Sequence, residues 1–249
     1  MMCPVFLKTE NVMNKEILIK GADSLNMQLS ERQIQQFSEY SRLLVEWNEK
    51  MNLTAVTDPD GISVKHFLDS ILPLSYIKIK ENVSIADIGT GAGFPGIPIK
   101  IMREDTVLTL VDSLNKRINF LKTVADEIGL ENTECIHGRA EELARKSEFR
   151  DSFDVVVSRA VANMTVLCEY CLPFVKKGGM FVALKADNAM DEINSAKSMI
   201  GNLGGEIEEV ISAALPMSDM TRTLVVVRKK DDTPKQFPRR SDKIKKSVK

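Results

Sequence analysis

The chain predicts an α/β fold: a mostly parallel sheet with one antiparallel strand near its end, behind an N-terminal helical segment. Three observations carry that prediction. From Val83 onward, short apolar runs alternate with helix-length amphipathic runs. The apolar runs, such as Phe153-Asp154-Val155-Val156-Val157, are nearly continuous, as strands buried on both faces of a parallel sheet are. The last two strand candidates are joined through Pro216 to Met220, a link that permits a hairpin but not a parallel crossover.

The elements follow in order. Residues 1–12 read as a flexible N-terminal extension, and Met13-Asn14-Lys15-Glu16 opens the first helical pattern, with Met13 a candidate start. Residues 13–80 read as a helical segment packed on the core. Within it, Ser30-Glu31-Arg32-Gln33 fits a capping box, and Ile34, Phe37, Tyr40, Leu43, Leu44 and Trp47 follow at helical spacing. Asp58-Pro59 fits an N-cap with proline at the first helical position, leading through Ile62, His66, Phe67 and Ile71. His66 reads as a packing or capping residue. Residues 81–230 form the α/β domain, with strands expected at 83–88, 107–112, 133–137, 153–158, 179–185, 205–214 and 221–229. Helices are expected at 95–103, 115–128, 139–147, 162–176 and 188–203. Residues 231–249 form a basic tail.

Charge and cysteine content narrow the class. The 249 residues carry a net charge of −1 and 43% hydrophobic residues, ordinary for a globular core. No apolar run approaches a membrane span, and Met1 to Lys20 lacks a secretory h-region. The charge is unevenly placed: Arg228 to Lys249 holds ten Lys/Arg against three Asp/Glu, so the rest of the chain is acidic. Such a tail is either a solubilising end or an arm for nucleic acid, whose phosphates reward clustered cations. Of four cysteines, Cys168 and Cys171 are formally C-x-x-C, but zinc needs two further ligands and no metal spacing supplies them. The pair reads as two small buried helix residues, and no metal is expected. Reduced thiols without a signal indicate the cytoplasm.

The chemistry concentrates at Asp87-Ile88-Gly89-Thr90-Gly91-Ala92-Gly93-Phe94-Pro95-Gly96. A strand, a glycine-rich turn and a helix start together make a cradle for a nucleotide-type cofactor. A dinucleotide site wants G-x-G-x-x-G directly off the strand, but the sixth position from Gly89 is Phe94, and the pattern matches only in a frame displaced to Gly91. The observed order is Asp87, then G-x-G-x-G, then a second acid, Asp112, closing the next strand. That order resembles the S-adenosylmethionine (SAM) site of class I methyltransferases, whose cofactor carries an ammonium, a sulfonium and a ribose diol. Carboxylates suit all three, whereas an acid beside a pyrophosphate is poorly placed. The class I sheet also has the antiparallel strand expected here.

Ligands of open α/β sheets sit beyond the C-terminal strand ends. Those ends carry Asp87 and Gly89, then Asp112 and Ser113, then His137-Gly138-Arg139-Ala140-Glu141, Ser158-Arg159-Ala160-Val161 and Leu184-Lys185; the final loop offers Asp219 and Arg222. Arg139, Arg159 and Lys185 are expected to converge on one rim. The strand-four end lacks an Asn/Asp-Pro-Pro-aromatic motif for adenine amines and a Pro-Cys nucleophile for cytosine C5. Cations with few general bases suit an acceptor with a free lone pair, such as a purine N7, which needs positioning more than proton removal.

Trp47 to Thr54, Asp87 to Pro98, Val111 to Arg117, Ser158-Arg159-Ala160 and Ala183-Leu184-Lys185 together resemble the RsmG (GidB) family of bacterial 16S ribosomal RNA guanine-N7 methyltransferases. The likeness runs from about Leu29 through Arg228. It implies SAM contacts at Gly89 and Phe94, at Ala140 and Glu141 beside the adenine, and at Arg159. Asp87, Gly91, Gly93, Asp112 and Ser113 join the cofactor set by the general class I pattern. The resemblance places Arg139, Lys185 and Arg222 at the RNA or target base, and Arg159 is expected to shape both the cofactor and the target pocket. It implies one guanine in the decoding-region loop of 16S rRNA as target, presented by the rRNA or a small-subunit precursor. A monomer is expected. A small-molecule methyltransferase, an NAD-dependent oxidoreductase and a non-catalytic RNA-binding scaffold are the competing readings.

Overall fold

The computed structural model describes residues 12–245. The expected flexible extension therefore lies outside the described residues, apart from Val12. α1 (Lys15–Ser24) and α2 (Glu31–Met51) open the fold, and Ser30 and Gln33 form the reciprocal capping box at the start of α2. Asp58 caps α3 (Pro59–Gly61), accepting the Gly61 N–H at 2.7 Å. The chain then widens into a π-helical stretch, Ile62–Leu68, and resumes as α4 (Asp69–Ile71) and α5 (Pro73–Tyr76).

The sheet follows with helices between its strands: β1 (Ser84–Ile88), α6 (Gly96–Met102), β2 (Val107–Asp112), α7 (Asn115–Glu127), β3 (Thr133–His137) and α8 (Ala140–Leu143). It continues through β4 (Phe153–Arg159), α9 (Met164–Cys171), β5 (Val175–Ala186), α10 (Met190–Asn202), β6 (Gly205–Ala214) and β7 (Thr221–Lys229), and α11 (Ser241–Lys245) closes the described chain. The spatial order is β3-β2-β1-β4-β5-β7-β6. β7 enters between β5 and β6 and runs antiparallel to both, while the remaining neighbours are parallel. The hairpin expected from the short link is thus the source of the one antiparallel strand.

Helices cover both faces, as burial of near-continuous apolar strands requires. One core joins Ile85, Leu110 and Val157 to α6, α7 and the N-terminal helices; the other joins Ala86, Val156 and Phe181 to α9 and α10. α2 is tied across the first face. Gln33 and Gln36 donate to the carbonyls of Ile101 and Ile128 at 2.9 Å, and the Tyr40 hydroxyl donates to the Ala92 carbonyl at 2.5 Å. The aromatic stripe of α2 is core, because Phe37 and Tyr40 are fully buried. Cys168 and Cys171 are buried on α9, and burial pushes both thiols up.

The described part of the tail, up to residue 245, lies on the second face rather than standing free. Arg150 donates to the carbonyls of Thr233 and Phe237 at 2.5 and 2.9 Å, and Arg145 donates to that of Pro238. Arg239 closes on the carboxylate of the fully buried Glu169, with Nη2–Oε2 at 2.6 Å. Lys229, also buried, meets Asp151 at 2.6 Å and the Thr233 hydroxyl at 2.7 Å. Part of the positive charge read as a nucleic-acid arm is therefore neutralised inside the fold, because buried Glu169 on α9 and buried Lys229 on β7 need partners.

Candidate active site

Two cavities open at the C-terminal edge of the sheet, on either side of the end of β4. The first, of about 330 Å³, lies over the ends of β1, β2 and β3 and is lined by Gly89, Asp112, Ser113, Arg139, Ala140 and Glu141. The second, of about 510 Å³, lies over β4, β5 and β7 and is lined by Lys65, His66, Asp69, Arg159, Lys185 and Arg222. Ala160 lines both and adopts the left-handed conformation, φ +57°, unusual for a residue with a Cβ. Such backbone strain collects where a chain must turn sharply to serve a site.

The glycine turn is held from below. Asp87 is fully buried, and its Oδ2 accepts the Thr90 hydroxyl at 2.7 Å and the Gly96 N–H at 2.8 Å. Asp87 thus clamps the turn and does not line the first cavity. Burial raises its carboxyl to about 6, and its Oδ1 has no partner. Gly93 packs against Tyr40 and Ile97. Phe94 stacks between Tyr40, at 5.4 Å, and His66, at 4.5 Å, with the Arg159 guanidinium 5.1 Å from its ring centre. Gly89 does line the cavity; its φ of +72° and the Val161 side chain, 2.7 Å from where a Cβ would stand, exclude larger residues.

Asp112 ends β2 nearly buried, with one oxygen accepting the Gly91 N–H at 3.0 Å and the other the Leu114 N–H at 2.9 Å. It joins the glycine turn to the β2–α7 loop and also meets Arg117 at 3.3 Å. A ring nitrogen of His137 lies 3.1 Å from the Ser113 carbonyl oxygen, tying the β3 end to the same wall. Glu141 is buried on α8, 4.0 Å from Arg139.

The cations expected on one rim are divided between the cavities. Arg159, expected at SAM as well as at the target base, lines the second with Lys185 and Arg222, whereas Arg139, expected at the RNA, lines the first. Strand order is the reason: β3 and β5 lie on opposite sides of β1 and β4, so their ends cannot meet. In the second cavity Arg159 pairs with Asp69 at 3.0 Å, Arg222 pairs with the same carboxylate at 2.8 Å, and Lys185 pairs with Glu192 at 3.0 Å. His66 packs, as read from the sequence, but also lines this cavity. Burial and the nearby Arg159 charge lower its ring to about 4, so it is neutral at physiological pH.

Sequence reasoning missed Asp69. Its signal was a single acid inside Phe67-Leu68-Asp69-Ser70-Ile71-Leu72, since a carboxylate in an apolar run is buried only with a partner. It also missed Tyr170 at the first cavity. The π-helical turn was not foreseen. It offers the Lys65 and His66 carbonyls to Arg159 at 3.3 and 3.5 Å, and such turns concentrate at functional sites.

A glycine turn at the first strand end, a buried acid at the second and a sheet with one antiparallel strand define a class I SAM-dependent methyltransferase. SAM suits the first cavity: Asp112 gives its wall a carboxylate, Gly89 leaves room for close approach, and no phosphate cradle is required. A family model for GidB, rRNA small subunit methyltransferase G, matches residues 33–220. The chain belongs to this family. It is 48% identical over 229 residues to ribosomal RNA small subunit methyltransferase G of Clostridium perfringens strain 13, covering 92% of this chain and 96% of that one. Its counterpart in Lachnoclostridium phytofermentans is 49% identical over 225 residues, covering 90% and 93%. Among solved structures, precorrin-6y C5,15-methyltransferase of Geobacter metallireducens shares the fold at TM-score 0.50 and 15% identity, over 64% of this chain and 87% of that one.

Proposed function

We propose that the chain methylates N7 of a guanine in the decoding-region loop of 16S rRNA. The observation that carries this reading is the pair of cavities meeting at Ala160: one glycine- and acid-lined, the other cationic. SAM, when bound, supplies an electrophilic methyl group on a sulfonium. Gly89, Asp112, Ser113, Ala140 and Glu141 hold it, with Asp87, Gly91, Gly93 and Phe94 shaping the turn. Arg139 borders the cofactor.

Arg159, Lys185 and Arg222 receive the acceptor. Guanine N7 and O6 are hydrogen-bond acceptors, so guanidinium and ammonium donors suit its Hoogsteen edge and the adjoining phosphates. N7 carries its lone pair without deprotonation, which fits a cavity whose histidine is neutral and whose Asp69 is occupied by two arginines. Both cavities are complete within one chain, in keeping with a monomer. Among the described residues no helix is long and apolar enough to cross a membrane. The substrate belongs to the cytoplasm.

Mass mapping of 16S rRNA from cells with and without the protein tests the assignment. A single guanine losing 14 Da supports it; an unchanged map rejects it. Binding to 16S rRNA that does not weaken with salt would favour a small-molecule acceptor instead.

A further inference from the structure

Asp69 is 4% exposed and touches two cations of the acceptor cavity that come from distant parts of the chain. Its Oδ2 accepts from Arg159 Nη1 at 3.0 Å and its Oδ1 from Arg222 Nε at 2.8 Å. The three residues stand on α4, β4 and β7, so one carboxylate pins together the N-terminal helices and two sheet strands. Arg159 is further held by the Lys65 carbonyl at 3.3 Å, and Arg222 by the Thr221 carbonyl at 3.3 Å. Each guanidinium is thereby fixed in orientation with donors to spare.

The charge balance gives the arrangement a second consequence. Lys65, Arg159, Lys185 and Arg222 line the cavity against Asp69 and Glu192, with His66 neutral. When guanine is methylated, its N7 lone pair forms the new N–C bond, the S–CH3 bonding pair stays with sulfur, and no proton leaves. One positive charge thus moves from the cofactor side into a cavity already rich in cations, where the low dielectric magnifies repulsion.

We propose that Asp69 is a positioning residue for methyl transfer: it locks Arg159 and Arg222 onto the acceptor and holds down the positive potential where the 7-methylguanine cation forms. The proposal rests on the second cavity being the acceptor site.

Asp69→Asn, Asp69→Glu, Arg222→Met and the double variant Asp69→Asn/Arg222→Met test it. Each is assayed for thermal unfolding, for SAM affinity by calorimetry, and for kcat and KM on small ribosomal subunits lacking the methyl group. Asp69→Asn is expected to lower kcat by about 100-fold, the scale of losing one transition-state group. Its SAM affinity is expected to change by less than about threefold, because the first cavity is untouched. Asp69→Glu, which keeps the charge, recovers part of the loss. The double variant is slower than Arg222→Met alone by clearly less than the loss that Asp69→Asn causes by itself, because Asp69 acts in part through Arg222 and in part through Arg159.

A folded Asp69→Asn with wild-type kcat overturns the proposal. So does a loss confined to SAM affinity, or losses that multiply in the double variant. If Asp69→Asn fails to fold, Asp69→Glu and the double variant, in which a cation leaves with the anion, decide. Wild-type turnover by Arg222→Met rejects the acceptor-cavity reading itself, whereas loss in Arg222→Met without loss in Asp69→Asn rejects only the role of Asp69.

Discussion

The imidazole of His66 lies face to face with the ring of Phe94, centroids 4.5 Å apart and planes 12° apart. The contact joins the π-helical turn under the acceptor cavity to the glycine turn under the cofactor cavity. Tyr40 stacks on Phe94 as well, at 5.4 Å, so a column of rings links α2, the glycine turn and the acceptor wall. A shift of the glycine turn is thereby felt on both sides of the reacting centre.

Replacing Phe94 with leucine keeps apolar volume but removes the stack and the cation–π contact with Arg159. The expected loss of stability is about 1–2 kcal/mol, read from urea midpoints. SAM affinity and turnover should fall together. A variant losing stability alone would show that the column is only packing.

His66 makes stability depend on acid in a definite direction. Its ordinary value is 6.5 and its folded value about 4, so the folded state binds the proton less tightly than the unfolded chain. Its contribution is complete above pH 6.5, declines as pH falls through 4, and amounts to about 3 kcal/mol. The buried carboxyl of Asp87, raised to about 6, works in the opposite sense: its contribution is full below pH 3.8 and is lost as pH rises through 6. His66→Gln removes the first trend and leaves the second. The melting temperature of that variant relative to wild type should therefore rise as pH drops from 7 to 4. A constant difference between the two proteins would refute the buried neutral imidazole.

Gly89 and Gly91 both have positive φ, 72° and 63°, but only Gly89 has a side chain in the way. Gly89→Ala drives a methyl into Val161 beside the cofactor and should weaken SAM binding by at least about tenfold. Gly91 has open space where a Cβ would stand. Gly91→Asn should therefore cost about 1 kcal/mol or less of stability, since asparagine tolerates the left-handed region. Calorimetry on both variants gives the comparison; equal losses would contradict the steric account.

Glu169 is fully buried, and Arg239 is its partner from the end of the chain. Arg239→Met leaves that carboxylate uncompensated and should destabilise the fold by on the order of 3 kcal/mol. Adding Glu169→Gln should restore most of it. Truncation before Thr233 should lower the melting temperature further and weaken SAM binding, because Tyr170, next to Glu169, lines the cofactor cavity. A truncated protein of unchanged stability that loses only salt-dependent RNA binding would instead revive the free-arm reading.

Strand positions were legible because burial on both faces writes itself into local composition: the expected 107–112, 133–137, 205–214 and 221–229 agree with the observed strands. Helices 139–147 and 162–176 are shorter in the structure, Ala140–Leu143 and Met164–Cys171, because turns at either end carry similar residues. The expected strand 179–185 is longer, Val175–Ala186, since Lys176, Lys177 and Gly178 lie exposed and carry no apolar signal.

By itself the sequence determined the α/β class, the hairpin end, the glycine turn and the acid closing β2, all features encoded by neighbours in the chain. The tertiary structure alone decided which strand-end charges share a cavity. It separated Arg139 from Lys185, turned Asp87 inward to clamp the turn, docked the basic tail on Glu169, and brought Asp69 within 2.8 Å of Arg222, 153 residues away. Strand order parted Arg139 from Lys185, and burial decided the other three. Periodicity records whether a residue is buried, but a buried charge is stable only beside its partner, and that partner is chosen by distance across the fold.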